Sequence, residues 1–248
     1  MNIWSLLFLP FVCWHPFHHE VTAMPVEQQL HQYTQQGSII KRVQTDHRWI
    51  ALTFDDGPDP QETIEILDIL KQYQAKATFF VVGEQVTKYP DIIRREVSEG
   101  HELANHTYSH TNFNHLSKEQ VKQEIVKSEN EILSITGRQT TLFRPPGGYY
   151  NDLIMMTAEQ LGYSVILWTW YQDSKDWSKP GVHQIVKRVI SNAHPGDIVL
   201  FHDRISGKSQ TANALKVILP ELQKQGYRFV TISQLMDSNQ IRYQIGEN

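Results

Sequence analysis

Residues 49–58 read Trp-Ile-Ala-Leu-Thr-Phe-Asp-Asp-Gly-Pro. The first six are apolar, β-branched or aromatic, the mark of a buried strand, and the run breaks into two carboxylates and a turn. Asp-Gly-Pro is ordinary turn chemistry, which accounts for Asp56, Gly57 and Pro58. Asp55 is left over. A carboxylate at the end of a buried strand costs stability unless a cation or hydrogen bonds meet it.

Working outward, similar runs recur at Ala77–Val82, Glu102–Ala104, Thr141–Arg144, Ser164–Trp168, Asp197–Phe201 and Arg228–Thr231. Helical patterns lie between them. Glu62–Tyr73 carries Ile64, Leu67, Ile69 and Leu70, and Ser117 opens Lys118–Thr136 with Gln120 at the capping-box position. Gly100, Gly137, Gly162, Gly196 and Gly226 each precede a strand, where a helix-ending glycine belongs. Strand and helix alternate about seven times, so the expected architecture is α/β with a mostly parallel sheet. A closed or distorted barrel suits it better than an open sheet.

Composition bounds the function. The 248 residues are 40% hydrophobic and 20% charged, a globular profile, and the net charge of −4 argues against a general nucleic-acid binder. No apolar run reaches the ~18–20 residues of a membrane span. Cys13 is the one cysteine, so any metal must be held by histidine and carboxylate. Ile3–Trp14 has the length of a signal-peptide core, and Val21-Thr22-Ala23 offers a cleavage site. Residues 1–23 therefore read as an export segment, ahead of an apolar helix packed on the domain. A short helix is expected at Pro25–Gly37, from Val26, Leu30 and Tyr33.

Four further strand ends carry polar residues that a core would not choose. Glu102–Ala104 leads into Asn105-His106-Thr107-Tyr108-Ser109-His110. Two histidines four apart can face one metal when the segment is helical or turned; with Asp56 they make a His₂-Asp set with open positions. Asp197–Phe201 ends in His202, which reads as an acid or base at that end of the sheet. Arg144-Pro145-Pro146-Gly147-Gly148 follows one strand, and Asp173-Ser174-Lys175-Asp176-Trp177 comes a few residues after another. Active sites of α/β folds collect where strands end. His101, His115, His183 and His194 read as surface or capping residues; Trp168 and Trp170 read as core ahead of a place flanking the cleft. The Lys and Glu side chains of Lys118–Glu131 read as a solvated helix face.

These five clusters, in this order, resemble the polysaccharide deacetylases with a NodB-type domain, carbohydrate esterase family 4. The similarity runs from about Arg48 to Leu235. It implies a single-domain distorted (β/α) barrel at 48–236, after an extension at 24–47 and before a tail at 237–248. It implies a divalent metal, zinc ahead of cobalt, held by Asp56, His106 and His110. Asp55 would be the general base, positioned by Arg144, and His202 the general acid, paired with Asp176. Trp177 and Leu200 would line an acetyl pocket, and Pro146 and Gly147 would meet the substrate, the Gly147 N–H binding the oxyanion. The family commonly reads Arg-Pro-Pro-Tyr-Gly where this chain has Gly147, so an aromatic sugar contact is missing unless Tyr149 or Tyr150 replaces it.

The reaction so implied is removal of N-acetyl groups from N-acetylglucosamine-containing glycans, such as chitin oligomers or peptidoglycan. An O-acetyl esterase acting on a polysaccharide such as xylan would share every one of these residues. A non-catalytic carbohydrate-binding protein would have lost one of Asp55, Asp56, His106, His110 and His202, and all five are present.

Overall fold

The computed structural model describes residue 33 and residues 38–245; the expected export segment and most of the expected leading helix lie outside them. Among the described residues, eight parallel strands form the sheet: β1 (Ile39–Ile40), β2 (Trp49–Asp55), β3 (Ala77–Val81), β4 (Glu102–Asn105), β5 (Leu142–Phe143), β6 (Ser164–Ile166), β7 (Ile198–His202) and β8 (Arg228–Phe229). Their order is β1-β6-β5-β4-β3-β2-β7, with β8 paired to the start of β2. The sheet curls into a distorted barrel whose ends, β1 and β7, are joined by the isolated Arg42–Asp197 bridge.

Among the described residues the helices that cover it are α1 (Glu62–Gln72), α2 (Gly83–Lys88), α3 (Pro90–Ser98), α4 (Lys118–Thr136), α5 (Asp152–Gln160), α6 (Val182–Ser191), α7 (Thr211–Lys224) and α8 (Ile232–Ile245). The Ser117–Gln120 capping box forms as the sequence predicts.

All seven expected strands are present, some shorter than their apolar runs, because curvature ends the pairing early. β1 was not expected: two residues carry no periodicity, and pairing with β6 alone makes Ile39–Ile40 a strand. The sheet thus begins inside the stretch assigned to the 24–47 extension, and α8 runs past residue 236.

β2 explains why the barrel can hold chemistry. Side chains alternate across a strand. Ile50, Leu52 and Phe54 face the helices, clustering with Ile66, Leu70 and Leu215, and Phe54 stacks on Phe79 and Phe201. Ala51 packs inside the barrel with Phe80, Ile166 and Ile198. The same alternation turns Thr53 and Asp55 inward. At Gly196, φ is +86° and a Cβ would lie 1.7 Å from the Val43 carbonyl oxygen, so only glycine lets the chain enter β7 beside residue 43.

Three expectations are corrected. His101 is a core residue, not a surface one: it is buried against Phe79, its Nδ1 accepts from the Ala77 N–H, and burial, then the nearby Lys76 charge, lower its pKa to about 4. Trp170 is 80% exposed rather than core. The charged face of α4 is not wholly solvated, since Glu129 accepts from Thr140 and from the Tyr163 hydroxyl.

Candidate active site

The strand registers bring the clusters together. Asp55 at the end of β2 sits opposite His202 of β7 and Phe80 of β3, and Asn105 at the end of β4 opposite Phe143 of β5. Residues that follow these strands meet at one mouth of the barrel.

Arg144 fills the interior beneath it. Its side chain is fully buried, with the guanidinium 3.9 Å from the Phe80 ring centroid. Nη1 donates to Asp55 Oδ1 at 2.6 Å and to Thr53 Oγ1 at 3.0 Å, while Nε and Nη2 donate to the Ile166 and Leu167 carbonyls. A guanidinium so held keeps the buried Asp55 carboxylate paired.

Asp56, His106 and His110 offer one ligand atom each, all within 4.8 Å of one another. Asp56 and His110 both have positive φ, 77° and 54°. The histidine pair is carried on a turn rather than a helix. That turn is braced by Asn105 Oδ1 accepting from Thr107 N–H, Thr107 Oγ1 accepting from His110 N–H, and Glu124 of α4 accepting from the Tyr108 and Ser109 N–H groups.

The donor set fits a cation. His106 Nδ1–H donates to the Arg144 carbonyl at 2.7 Å, which leaves the Nε2 lone pair facing Asp56 Oδ1 at 3.4 Å. That Oδ1 is buried and has no hydrogen-bond partner. Two electron-rich atoms turned toward each other call for a positive charge between them. Burial opposes ionisation of Asp56, yet His106 and His110 outweigh it and hold the carboxyl far below the usual range. His110 is raised in turn, chiefly by the Asp56 carboxylate, whose Oδ1 lies 3.1 Å from its Nε2.

On the other side stands His202, its Nδ1 2.7 Å from Asp176 Oδ1. Asp176 is fully buried, and its Oδ2 accepts from the His202 N–H and the Thr211 hydroxyl. Burial disfavours the imidazolium, but the hydrogen bond and charge of Asp176 prevail and lift His202 to about 9.

A cavity of about 260 Å³ opens between these groups. Asp55, Asp56, His106, His110 and His202 line it, as do Gly147, Trp177 and Leu200. Arg144 and Asp176 stand behind the wall, each touching a lining residue. Pro146 is buried and does not reach the wall, because the Pro146–Gly148 turn presents Gly147 instead. Neither tyrosine takes the place of an aromatic ring at 147: Tyr149 is 40% exposed and Tyr150 packs edge-on against Tyr33.

Trp168 and Asp173 also line the cavity; the sequence left Trp168 between cleft and core, favouring core, and gave Asp173 no role of its own. Trp168 read as core, which is the commoner fate of a tryptophan after a strand. Two larger cavities, each about 530 Å³, lie beside Tyr227 and beside Met156. The Asp56–His106–His110 group is in neither, so size does not mark the site here.

The profile of the polysaccharide deacetylase family matches residues 42–166. A peptidoglycan-N-acetylglucosamine deacetylase of Bacillus cereus is 46% identical over 200 residues, 81% of this chain and 93% of that protein. The crystal structure of the Bc1960 peptidoglycan N-acetylglucosamine deacetylase superposes with a TM-score of 0.79 at 32% identity, covering 90% of this chain and 98% of the other. A family 4 acetyl xylan esterase from Clostridium thermocellum, solved with a cobalt ion, superposes at 0.71 with 34% identity, covering 76% and 90%. Sequence and fold agree over most of the molecule, and the chain belongs to the polysaccharide deacetylase family.

Proposed function

We propose that this protein hydrolyses the N-acetyl group of N-acetylglucosamine residues in a glycan, peptidoglycan ahead of chitin oligomers. The observation that carries the reading is the pairing of opposites across one cavity. Asp55 accepts from the buried Arg144 guanidinium at 2.6 Å, and His202, raised by Asp176, faces it as an imidazolium. Environments that separate two titratable groups in this way assign a base and an acid.

Asp55 takes a proton from the attacking water as its oxygen bonds to the acetyl carbon. The Gly147 N–H donates to the oxygen that becomes negative. His202 then gives its proton to the sugar nitrogen as the carbon–nitrogen bond breaks, releasing acetate and a free amine. Asp56, His106 and His110 would hold a divalent ion, zinc ahead of cobalt. Such an ion polarises the carbonyl and acidifies water. Trp177 and Leu200 enclose the acetyl methyl.

The likeness to an acetyl xylan esterase supports a second reading, hydrolysis of O-acetyl esters by the same groups. Action on peptidoglycan requires export, which the apolar Ile3–Trp14 segment supports.

The test is acetate release by the purified chain from N-acetylglucosamine oligomers, peptidoglycan and acetylated xylan, before and after chelation and with zinc or cobalt restored. Amide hydrolysis that is lost on chelation and returns with metal is the expected result. Ester hydrolysis alone would transfer the assignment to the second reading. No hydrolysis of any substrate with metal bound would overturn both.

A further inference from the structure

Asp203 follows His202 directly, and none of the steps above uses it. The residue is 1% exposed. The backbone N–H donates to the Asp55 carbonyl at 3.2 Å, and Oδ2 accepts from the Thr63 hydroxyl at 2.6 Å. Thr63 Oγ1 in turn accepts from the Asp59 N–H, on the far side of the Asp55–Pro58 turn. A Cβ built on Gly57 would lie 2.1–2.4 Å from all three atoms of the Asp203 carboxyl group. The carboxyl therefore packs directly against the one residue of the turn that has no side chain. φ at Gly57 is not in the left-handed region, so glycine is needed there for room rather than for its dihedral freedom.

We propose that Asp203 is a positioning residue, a wedge between Gly57 and Thr63 that sets how far the Asp55–Gly57 turn stands into the cavity and so where the Asp55 and Asp56 carboxylates point. A buried carboxyl beside three others, Asp55, Asp56 and Glu96, is a costly filler, and an apolar side chain would satisfy packing alone at lower cost. What an apolar side chain lacks is the anchor to Thr63 that fixes the wedge in place. The inference rests on the deacetylase reading for its activity arm, while metal affinity reads the same geometry without turnover.

The experiment compares Asp203→Ala, Asp203→Asn, Gly57→Ala and the double variant Gly57→Ala/Asp203→Ala. Each is measured for kcat, KM, zinc affinity by chelator competition, and unfolding temperature. Misplacement of reacting groups by about 1 Å can cost on the order of 100-fold in rate, so Asp203→Ala and Gly57→Ala should each lose roughly that in kcat with KM little changed, and bind zinc more weakly. Asp203→Asn keeps the shape and the acceptor for Thr63, and should rescue both readouts. The double variant should lose far less than the product of the single losses, because the new methyl enters the space the carboxyl left.

An Asp203→Ala protein with a lower unfolding temperature but unchanged kcat and zinc affinity would reduce the residue to a structural role and overturn the proposal. Losses that multiply in the double variant would overturn the wedge contact. A wild-type protein that binds zinc and releases no acetate would overturn the deacetylase reading. The zinc affinities of the four variants would then decide the role of Asp203 by themselves.

Discussion

Arg144 and Asp55, 89 residues apart in sequence, form an ion pair inside the barrel, with side chains 0% and 5% exposed and Nη1 2.6 Å from Oδ1. Arg144→Ala would leave Asp55 buried without a cation, and removing one partner of such a pair costs about 3–5 kcal/mol. Arg144→Lys keeps the charge but cannot supply the four donor contacts of the planar group. Both variants should lose turnover, and the lysine variant should not recover it. Denaturant unfolding and acetate release measure the two effects, and a fully active lysine variant would refute the geometric argument.

The His202–Asp176 pair predicts a pH dependence. His202 titrates at about 9, above the ordinary 6.5. A raised folded-state value means its contribution to stability is complete below about 6.5 and disappears as pH rises through about 9. Turnover should fall over the same alkaline range as the acid loses its proton. Asp176→Asn removes the charge that holds the imidazolium, so the alkaline limb should move toward neutrality. NMR titration of the His202 ring, alongside the pH–rate profile, would show whether the two move together.

Glu124 should govern metal affinity without being a ligand. Its carboxylate accepts from the Tyr108 and Ser109 N–H groups and from the Ser109 hydroxyl, clamping the turn in which Thr107 and His110 both have positive φ. Loss of an outer support of this kind typically weakens binding about 10- to 100-fold. Glu124→Ala should fall in that range, and His110→Ala should lose more. Zinc titration of the two variants gives the order, and equal affinity in Glu124→Ala and wild type would remove the clamp from the account.

Gly147 has φ of +63°, and a Cβ there would meet nothing within 4 Å. Gly147→Ala is therefore limited by backbone conformation rather than by space, at a cost of about 1 kcal/mol in the left-handed region. If its N–H serves the oxyanion, the shift should lower kcat for amide and ester substrates alike with little change in KM. Unchanged kcat would assign the oxyanion to other groups.

The carboxyl ends of the strands were legible in the sequence because burial and charge conflict there. Asp55, His202 and the histidine pair stand where an apolar run stops, and a core would not select them. The Ser117–Gln120 capping box was legible for another reason, since it is satisfied within one turn of chain.

What stayed hidden depends on neighbours distant in sequence. His101 looks like any polar residue after Gly100, and only the packing of Phe79 makes it core. Trp168 could be core or cleft wall from sequence, and only the fold selects the wall; Asp203 becomes a wedge only when Gly57 arrives beneath it. β1 exists only as a partner for β6.

The sequence by itself determined the α/β alternation, the five clusters and the residue types able to do the chemistry. Periodicity and the cost of burying charge are local properties of the chain. Tertiary structure makes the contacts that the resemblance only implied, Arg144 with Asp55 and Asp176 with His202, and it decided that Gly147 rather than Pro146 forms the wall. Those choices follow from strand register and barrel curvature, which arise from contacts summed over the whole sheet and leave no mark on any single segment.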